Sequence, residues 1–195
     1  DEAADALGAG NLPDRLDPTG TAWDPLPRLA ELAAQAGSDA EPGSLVVFPL
    51  VHGPLGEDGT LQGLLELADV PYVGSGVLGS ALAMDKLAAK DVLAHHGIAQ
   101  ARYRAIHADR LVDPGTHANS DGYRALLVEL MADLGPTLFV KPANMGSSVG
   151  VSRATDEASL AEALATAALY DEWVVVEEAI AGREIEFAVL GDRNP

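Results

Sequence analysis

The chain has 195 residues, no cysteine, and 30 acidic against 12 basic residues, which gives a formal net charge of −18 at pH 7. The lack of thiols excludes disulfides, thiolate metal ligands and a cysteine nucleophile, and the negative charge argues against nucleic acid as a partner. No apolar run approaches the roughly 20 residues that cross a bilayer, so we expect a cytoplasmic protein with no membrane partner.

Up to residue 75 we predict a short helix within 25–36 and then a strand–loop–helix–strand series. The series consists of a strand at 45–50, a helix around 61–68 and an extended segment at 71–74. The strand is a continuous apolar run, which is typical of strands covered on both faces of a parallel sheet. This order predicts part of an N-terminal α/β domain with a parallel sheet over residues 1–75.

The rest of the chain alternates helices with short strands. We predict helices at 83–96, at 121–134 and after Asp156, and strands at 102–106, 138–141, 149–153, 173–177 and 185–190. Asp156 is a suitable N-cap for the helix that follows it. Asp58 is expected to cap the helix around 61–68 in the same way.

The most informative segment is the glycine-serine loop, residues 146–150, between two predicted strands. Lys141 lies just before it and is one of only three lysines in this acidic chain. Strand alternation puts Phe139 and Lys141 on one face, where a ring can lie under a base and an ammonium can contact a phosphate. Gly146 lets the backbone approach a ligand closely. The pattern predicts a nucleotide site, and a plain β-hairpin with a polar tip is the alternative.

Two other polar segments suit a ligand but also have simpler explanations. Glu177 and Glu178 end a predicted strand, where backbone groups and carboxylates can contact adenine and ribose; the alternative is a solvated acidic turn. His52 follows an apolar strand, where α/β proteins place ligand-binding groups; the alternative is an ordinary loop histidine.

Lys86 and Lys90 lie one helical turn apart. Taken by themselves, they are most simply surface lysines with Asp85 and Asp91 as partners.

Taken in order, these motifs resemble those of the D-alanine–D-alanine ligases, which belong to the ATP-grasp superfamily. The two most specific are His-Gly-x-x-Gly-Glu-Asp-Gly at 52–59 and Lys-Pro-x-x-x-Gly-Ser-Ser-Val-Gly at 141–150. The other matching segments are at 71–77, 80–86 and 177–184. The resemblance covers residues 44–191 and implies an ATP-grasp fold of α/β (α+β) class, truncated here. It implies a central subdomain over 76–178 and the start of a C-terminal subdomain over 179–195.

The resemblance also implies a role for each motif residue. Two lysines, Lys86 and Lys141, would contact the phosphates of the nucleotide. The glycine-serine loop would close over the β- and γ-phosphates through Gly146, Ser147, Ser148, Val149 and Gly150. Adenine would be contacted by Glu177, Glu178 and Ile180, and ribose by Glu184. The implied catalytic residues are His52 and Ser147, which help to place the first D-alanine.

In the family, ATP phosphorylates the carboxylate of one D-alanine, and the amine of a second D-alanine attacks the acyl phosphate. The dipeptide serves peptidoglycan synthesis, and the enzymes are usually dimeric, so the resemblance implies a homodimer. Fixed cations, N–H groups and Mg²⁺ offset the repulsion between the anions. D-lactate or D-serine as the second substrate, and a non-catalytic ATP-binding module, are the alternatives.

Parts of the family pattern do not occur in these 195 residues. They are the N-terminal Gly-Gly-x-Ser-x-Glu segment, a tyrosine-bearing loop, the C-terminal Asp, Glu and Asn that bind Mg²⁺, and an arginine that stabilises the transition state. We therefore expect the metal ligands to lie outside this segment. We also expect the chain to be the middle segment of a longer protein and to lack ligase activity by itself.

Overall fold

The computed structural model describes residues 46–111 and 121–191, together with Pro27 and Glu31, which are both helical. The chain divides into two compact units, residues 1–45 and 46–195. Apart from those two positions, the helix expected within 25–36 lies outside the described residues. No helix in the described ranges is long and apolar enough to cross a bilayer.

The second unit begins with the predicted strand–helix–strand series in reduced form. Val47 and Tyr72 form a parallel bridge on either side of helix α1, Thr60–Leu67. The predicted parallel pairing is therefore present, but as a single bridge. The expectation that the strand at 45–50 is covered on both faces is wrong for the described residues, because Phe48 and Leu50 are 65% and 73% exposed.

The helix expected at 83–96 is present as α3, Lys86–His95, and a helix that was not predicted, α2 at Val77–Met84, precedes it. Asp85 separates them with extended backbone, at ψ 109°, and its carboxylate accepts the N–H groups of Leu87 and Ala88. An aspartate in this position satisfies donors that the first turn of a helix leaves unpaired. The predicted helix was therefore correct except for its start, which lies three residues later because Asp85 acts as an N-cap.

The centre of the unit is a four-stranded sheet in the order β1-β4-β2-β3, and every neighbouring pair is antiparallel. The strands are β1 at Tyr103–His107, β2 at Leu138–Pro142, β3 at Ser152–Ala154 and β4 at Trp173–Glu178. A 3₁₀ turn at Ala108–Arg110 follows β1. The strands predicted at 102–106, 138–141 and 173–177 are confirmed, and that at 149–153 is shorter than expected.

Two helices cover one face of the sheet, α4 at Asp121–Leu134 and α5 at Glu157–Ala167. Asp156 caps α5 as predicted and forms a capping box with Ser159. The core between helices and sheet consists of alternate strand residues and the inner faces of both helices, chiefly Ile106, Val174, Val176, Leu138, Val140, Ala154, Leu127, Leu130, Leu160 and Leu164. Because side chains alternate along a strand, the residues between these face the opposite side of the sheet.

Two local predictions need correction. Helix α1 begins after Gly59, which has a φ of +91°, so Asp58 lies one residue too early to be the N-cap. Its carboxylate still accepts the N–H groups of Leu55 and Thr60 and closes the turn before the helix. The strand expected at 185–190 is absent, because no described strand pairs with this exposed segment, and an unpaired segment has no ladder to satisfy its backbone groups.

Candidate functional site

Glu177 is the centre of a charged cluster on the sheet face away from α4 and α5. It is buried on β4, and its backbone lies opposite Tyr103 on one side and Phe139 on the other. Its Oε1 is 2.8 Å from Lys90 Nζ, and its Oε2 accepts a hydrogen bond from Lys141 Nζ. One carboxylate therefore pairs with two ammonium groups.

The surroundings of Glu177 keep it ionised. Burial alone would raise the pKa of this carboxyl, but the hydrogen bonds from Lys141 and Lys90 outweigh burial and lower the pKa below its ordinary value. Attraction to the two positive charges acts in the same direction.

Lys86 ties helix α3 to the segment that leads into the glycine-serine loop. Its Nζ donates to the carbonyl oxygens of Ala143, at 3.2 Å, and Met145, at 2.6 Å. Burial lowers the pKa of Lys86, and the positive charge of Lys141 lowers it further, against the attraction of Asp171 and other carboxylates. Lys86 therefore places a partly desolvated cation beside Lys141.

Lys90 is the site residue that the sequence resemblance did not assign. Its side chain is 12% exposed, and its Nζ lies 4.7 Å from the centre of the Tyr103 ring as well as against Glu177. The Tyr103 hydroxyl donates to Asp91. The interpretation of Lys86 and Lys90 as surface lysines paired with Asp85 and Asp91 is therefore wrong. Their i, i+4 spacing was the available signal, because it puts both on one helix face.

The glycine-serine loop is open at its tip and packed at its end. Ser147 and Ser148 are exposed and adopt left-handed backbone, with φ of 49° and 59°. The N–H groups of Gly146, Ser147 and Ser148 donate to no other protein atom within the described ranges. These donors and hydroxyls are therefore available to an anion.

Gly150 fixes the end of this loop. Its φ is +69°, and a Cβ there would lie 2.7 Å from both Pro142 Cγ and Tyr170 Cδ2. Only glycine combines this left-handed backbone with so close an approach. The loop thus returns tightly onto the strand that carries Lys141.

His52 lies in a second loop next to the glycine-serine loop. Its Nδ1 is 3.6 Å from Glu57 Oε1, and Glu57 Oε2 accepts the N–H of Gly53. A Cβ added to Gly146 would lie 3.8 Å from Glu57 Oε2 and from Gly53 Cα. An open pocket of about 440 Å³ adjoins this loop and is lined by side chains that include His52, Glu57 and Ser80.

A second open pocket of about 440 Å³ lies at the other end of β2. Phe139, Arg153 and residues 179–181 contribute to its lining. Phe139 and Lys141 share a face of β2, as predicted, since both are half-buried between fully buried neighbours. An apolar slot next to a cation suits a planar base joined to an anion.

The structure does not bring every predicted site residue into this cluster. Glu178 points to the other side of β4, where its carboxylate accepts the backbone N–H and the side-chain Nε of Arg102. These two bonds lower the pKa of Glu178, and its backbone N–H donates to the carbonyl oxygen of Arg102, so the side chain and the N–H both have partners. Glu184 is in the exposed segment after the sheet and has no ion pair or hydrogen bond within the described ranges, and Val149 is 41% exposed at the loop tip.

In the part of the chain that the structure describes, no group of three or more His, Asp or Glu residues comes together as a metal site. The residues present therefore do not fit a bound Mg²⁺ by themselves.

Two family models match this chain, and they describe the N-terminal and the C-terminal part of the same enzyme family. Residues 14–75 match the model of the D-Ala-D-Ala ligase N-terminus, and residues 92–195 match that of the D-Ala-D-Ala ligase C-terminus. The chain is 48% identical over 166 residues to a D-alanine–D-alanine ligase of Listeria monocytogenes serotype 4b. That match covers 85% of this chain and 42% of the relative, so the chain spans about two fifths of the relative's length.

Solved structures give the same result. A D-alanine–D-alanine ligase from Coxiella burnetii matches with a TM-score of 0.59 and 37% identity, over 71% of this chain and 38% of that one. The VanG D-Ala:D-Ser ligase from Enterococcus faecalis matches with a TM-score of 0.58 and also 37% identity, over 70% of this chain and 36% of that one. The predicted ATP-grasp fold is thereby confirmed.

Proposed function

The chain belongs to the D-alanine–D-alanine ligase family, and we propose that the protein carrying it joins two D-alanines in an ATP-dependent reaction. The product would be the dipeptide that serves peptidoglycan synthesis. The observation that carries this proposal is the position of Lys86 and Lys141 beside the unused N–H groups of the glycine-serine loop.

In this proposal the nucleotide phosphates bind where these two lysines meet the loop. Lys86 is already held by the carbonyl oxygens of Ala143 and Met145, so its ammonium is fixed before ligand arrives. Gly146, Ser147, Ser148, Val149 and Gly150 would close over the β- and γ-phosphates and contribute backbone N–H and hydroxyl donors. Fixed donors of this kind stabilise the charge that develops in phosphoryl transfer.

We place the adenine in the slot between Phe139 and Ile180. The side chain of Glu177 and backbone groups of Glu178 and Ile180 would contact its polar edge, and Glu184 would contact ribose. The support is the slot itself and the position of Phe139, which lines it, on the same face of β2 as Lys141.

The first D-alanine would bind near His52 and Ser147. The support is the close approach of Gly146 to the Glu57 loop, which makes the two loops neighbours. Its carboxylate would thereby face the transferable phosphate, and the amine of the second D-alanine would attack the acyl phosphate, releasing phosphate after ADP has formed. The described residues do not provide a magnesium site, so no step is assigned to the metal, whose ligands are proposed to lie elsewhere.

The remaining assignments stay proposals of the same kind. Residues 1–75 would belong to the N-terminal domain, 76–178 to the central ATP-grasp subdomain and 179–195 to the C-terminal one. We propose a homodimer that acts in the cytoplasm, where ATP and D-alanine are available.

D-alanine–D-serine ligation is a second candidate. The observation in its favour is that the Enterococcus faecalis D-Ala:D-Ser ligase and the Coxiella burnetii D-Ala-D-Ala ligase have the same 37% identity to this chain.

The test is an assay of the whole gene product that contains this chain. ADP and dipeptide should form when ATP and D-alanine are supplied together, and ADP should not form without the amino acid. Faster product formation with D-serine or D-lactate beside limiting D-alanine would favour the corresponding alternative. ATP binding without any ADP formation would contradict a ligase and indicate a non-catalytic module.

A further inference from the structure

Lys90 has no part in the proposed nucleotide contacts, yet its side chain is less exposed than that of Lys141, at 12% against 28%. It is held between the Glu177 carboxylate and the Tyr103 ring. An ammonium fixed by a charge-assisted hydrogen bond and an aromatic face has little freedom to turn elsewhere. Lys90 is therefore a permanent partner of Glu177.

The two oxygens of Glu177 are divided between the two lysines. Oε1 pairs with Lys90, and Oε2 accepts from Lys141. If Lys141 turns toward a phosphate, Glu177 loses one partner but keeps the other. Without Lys90 the same movement would leave a buried carboxylate unpaired, which is strongly unfavourable.

We propose that Lys90 is a positioning residue for Lys141: it holds Glu177 so that Lys141 can exchange this carboxylate for a nucleotide phosphate. The inference rests on the proposed function, because it takes Lys141 as a phosphate ligand. It adds that phosphate binding depends on Lys90, a cation that does not itself contact the phosphate.

The experiment measures the dissociation constants of ATP and adenosine by calorimetry. The proteins are the whole gene product that contains this chain and its Lys90→Met, Lys90→Arg, Glu177→Gln and Lys90→Met/Glu177→Gln variants. Adenosine lacks phosphate and reports on the base site alone. The double variant separates an effect through Glu177 from a general loss of positive charge.

Lys90→Met should weaken ATP binding about tenfold, the change typical of one lost charge-assisted hydrogen bond. Adenosine affinity should fall by less than ATP affinity, because adenosine uses the Glu177 contact of the base site but no phosphate contact. Lys90→Arg keeps the charge and should restore most of the ATP affinity. In the Glu177→Gln background, Lys90→Met should have little effect, since no buried charge then needs a partner.

Three results would overturn the proposal: unchanged ATP affinity in Lys90→Met, an equal loss for ATP and adenosine, or a full effect of Lys90→Met in the Glu177→Gln background. Failure of the unmodified gene product to bind ATP would instead contradict the proposed function. In that case, NMR titration of the Glu177 carboxyl in the ligand-free protein tests the role of Lys90. A higher pKa in Lys90→Met supports its hold on Glu177, and an unchanged pKa refutes it.

Discussion

Lys141 and Glu177 lie on neighbouring antiparallel strands and point to the same side of the sheet, where their side chains form an ion pair. Lys141 is directly opposite Val175, so Glu177 is its diagonal neighbour two residues further along β4. The sheet register therefore holds the cation next to the glycine-serine loop while no phosphate is bound.

Glu177→Gln should reduce the free energy of unfolding at pH 7 by about 2 kcal/mol, because two partly buried lysines lose their shared carboxylate. The folded state depresses the pKa of Glu177 below its ordinary value of 4.5. The stabilisation is therefore complete above pH 4.5 and is lost as the pH falls through the lower folded-state pKa. Denaturant unfolding at several pH values should show the parent and variant converging only below pH 4.5.

The control for this series is Glu186→Gln, which removes the same charge from an exposed position in the segment after the sheet. It should leave stability within about 0.5 kcal/mol of the parent at every pH. A Glu177→Gln variant that behaves like this control would contradict the assigned ion pairs.

Gly150→Ala should destabilise the chain by about 2–4 kcal/mol. The left-handed backbone costs alanine about 1 kcal/mol, and the contacts with Pro142 and Tyr170 add the cost of overpacking. Gly97→Ala is the matched control, since Gly97 has a φ of +70° and nothing within 4 Å of an added Cβ. Denaturant unfolding checks both, and equal losses would show that the loop end is not tightly packed.

Asp85→Ala should cost about 1 kcal/mol of stability, because the first turn of α3 loses the acceptor for two N–H groups. It should also weaken ATP binding, since α3 carries Lys86 and Lys90. Asp85→Asn keeps a good capping side chain and should retain most of both properties. The prediction is wrong if the alanine and asparagine variants match in stability and in ATP affinity.

The sequence predicted most of the sheet and its covering helices, because hydrophobic periodicity and caps are local signals. The helix Asp121–Leu134 and the Asp156 cap were predicted to the residue. The break at Asp85 was missed because a helical pattern continues through it. The strand at 185–190 was wrongly expected because an alternating pattern cannot show whether a neighbouring strand is present.

The site was predictable where its residues are close in sequence. The common face of Phe139 and Lys141 follows from strand alternation. The pairing of Lys90 with Glu177 joins residues 87 positions apart, so neither the pattern nor charge counting could predict it. The pairing of the Glu178 side chain with Arg102 depends on strand order, so the sequence could not predict it.

The glycine-serine loop should exchange its amide hydrogens rapidly without ligand. The N–H groups of Gly146, Ser147 and Ser148 have no protein acceptor in the described ranges, and the loop must open to admit a nucleotide. ATP should slow exchange in 146–150 and leave α4 unchanged. Hydrogen-exchange mass spectrometry checks this, and loop amides that are protected without nucleotide would contradict an open phosphate loop.

The most direct measurement is calorimetric titration of the whole gene product that contains this chain, and of its Lys141→Met variant, with ATP and adenosine. Arg124→Met, an exposed cation paired with Glu157 outside the site, controls for the change in net charge. We predict that Lys141→Met weakens ATP binding by about 2 kcal/mol, or roughly 30-fold, with little change for adenosine. ATP affinity in Lys141→Met equal to that of Arg124→Met would contradict a phosphate site at this lysine.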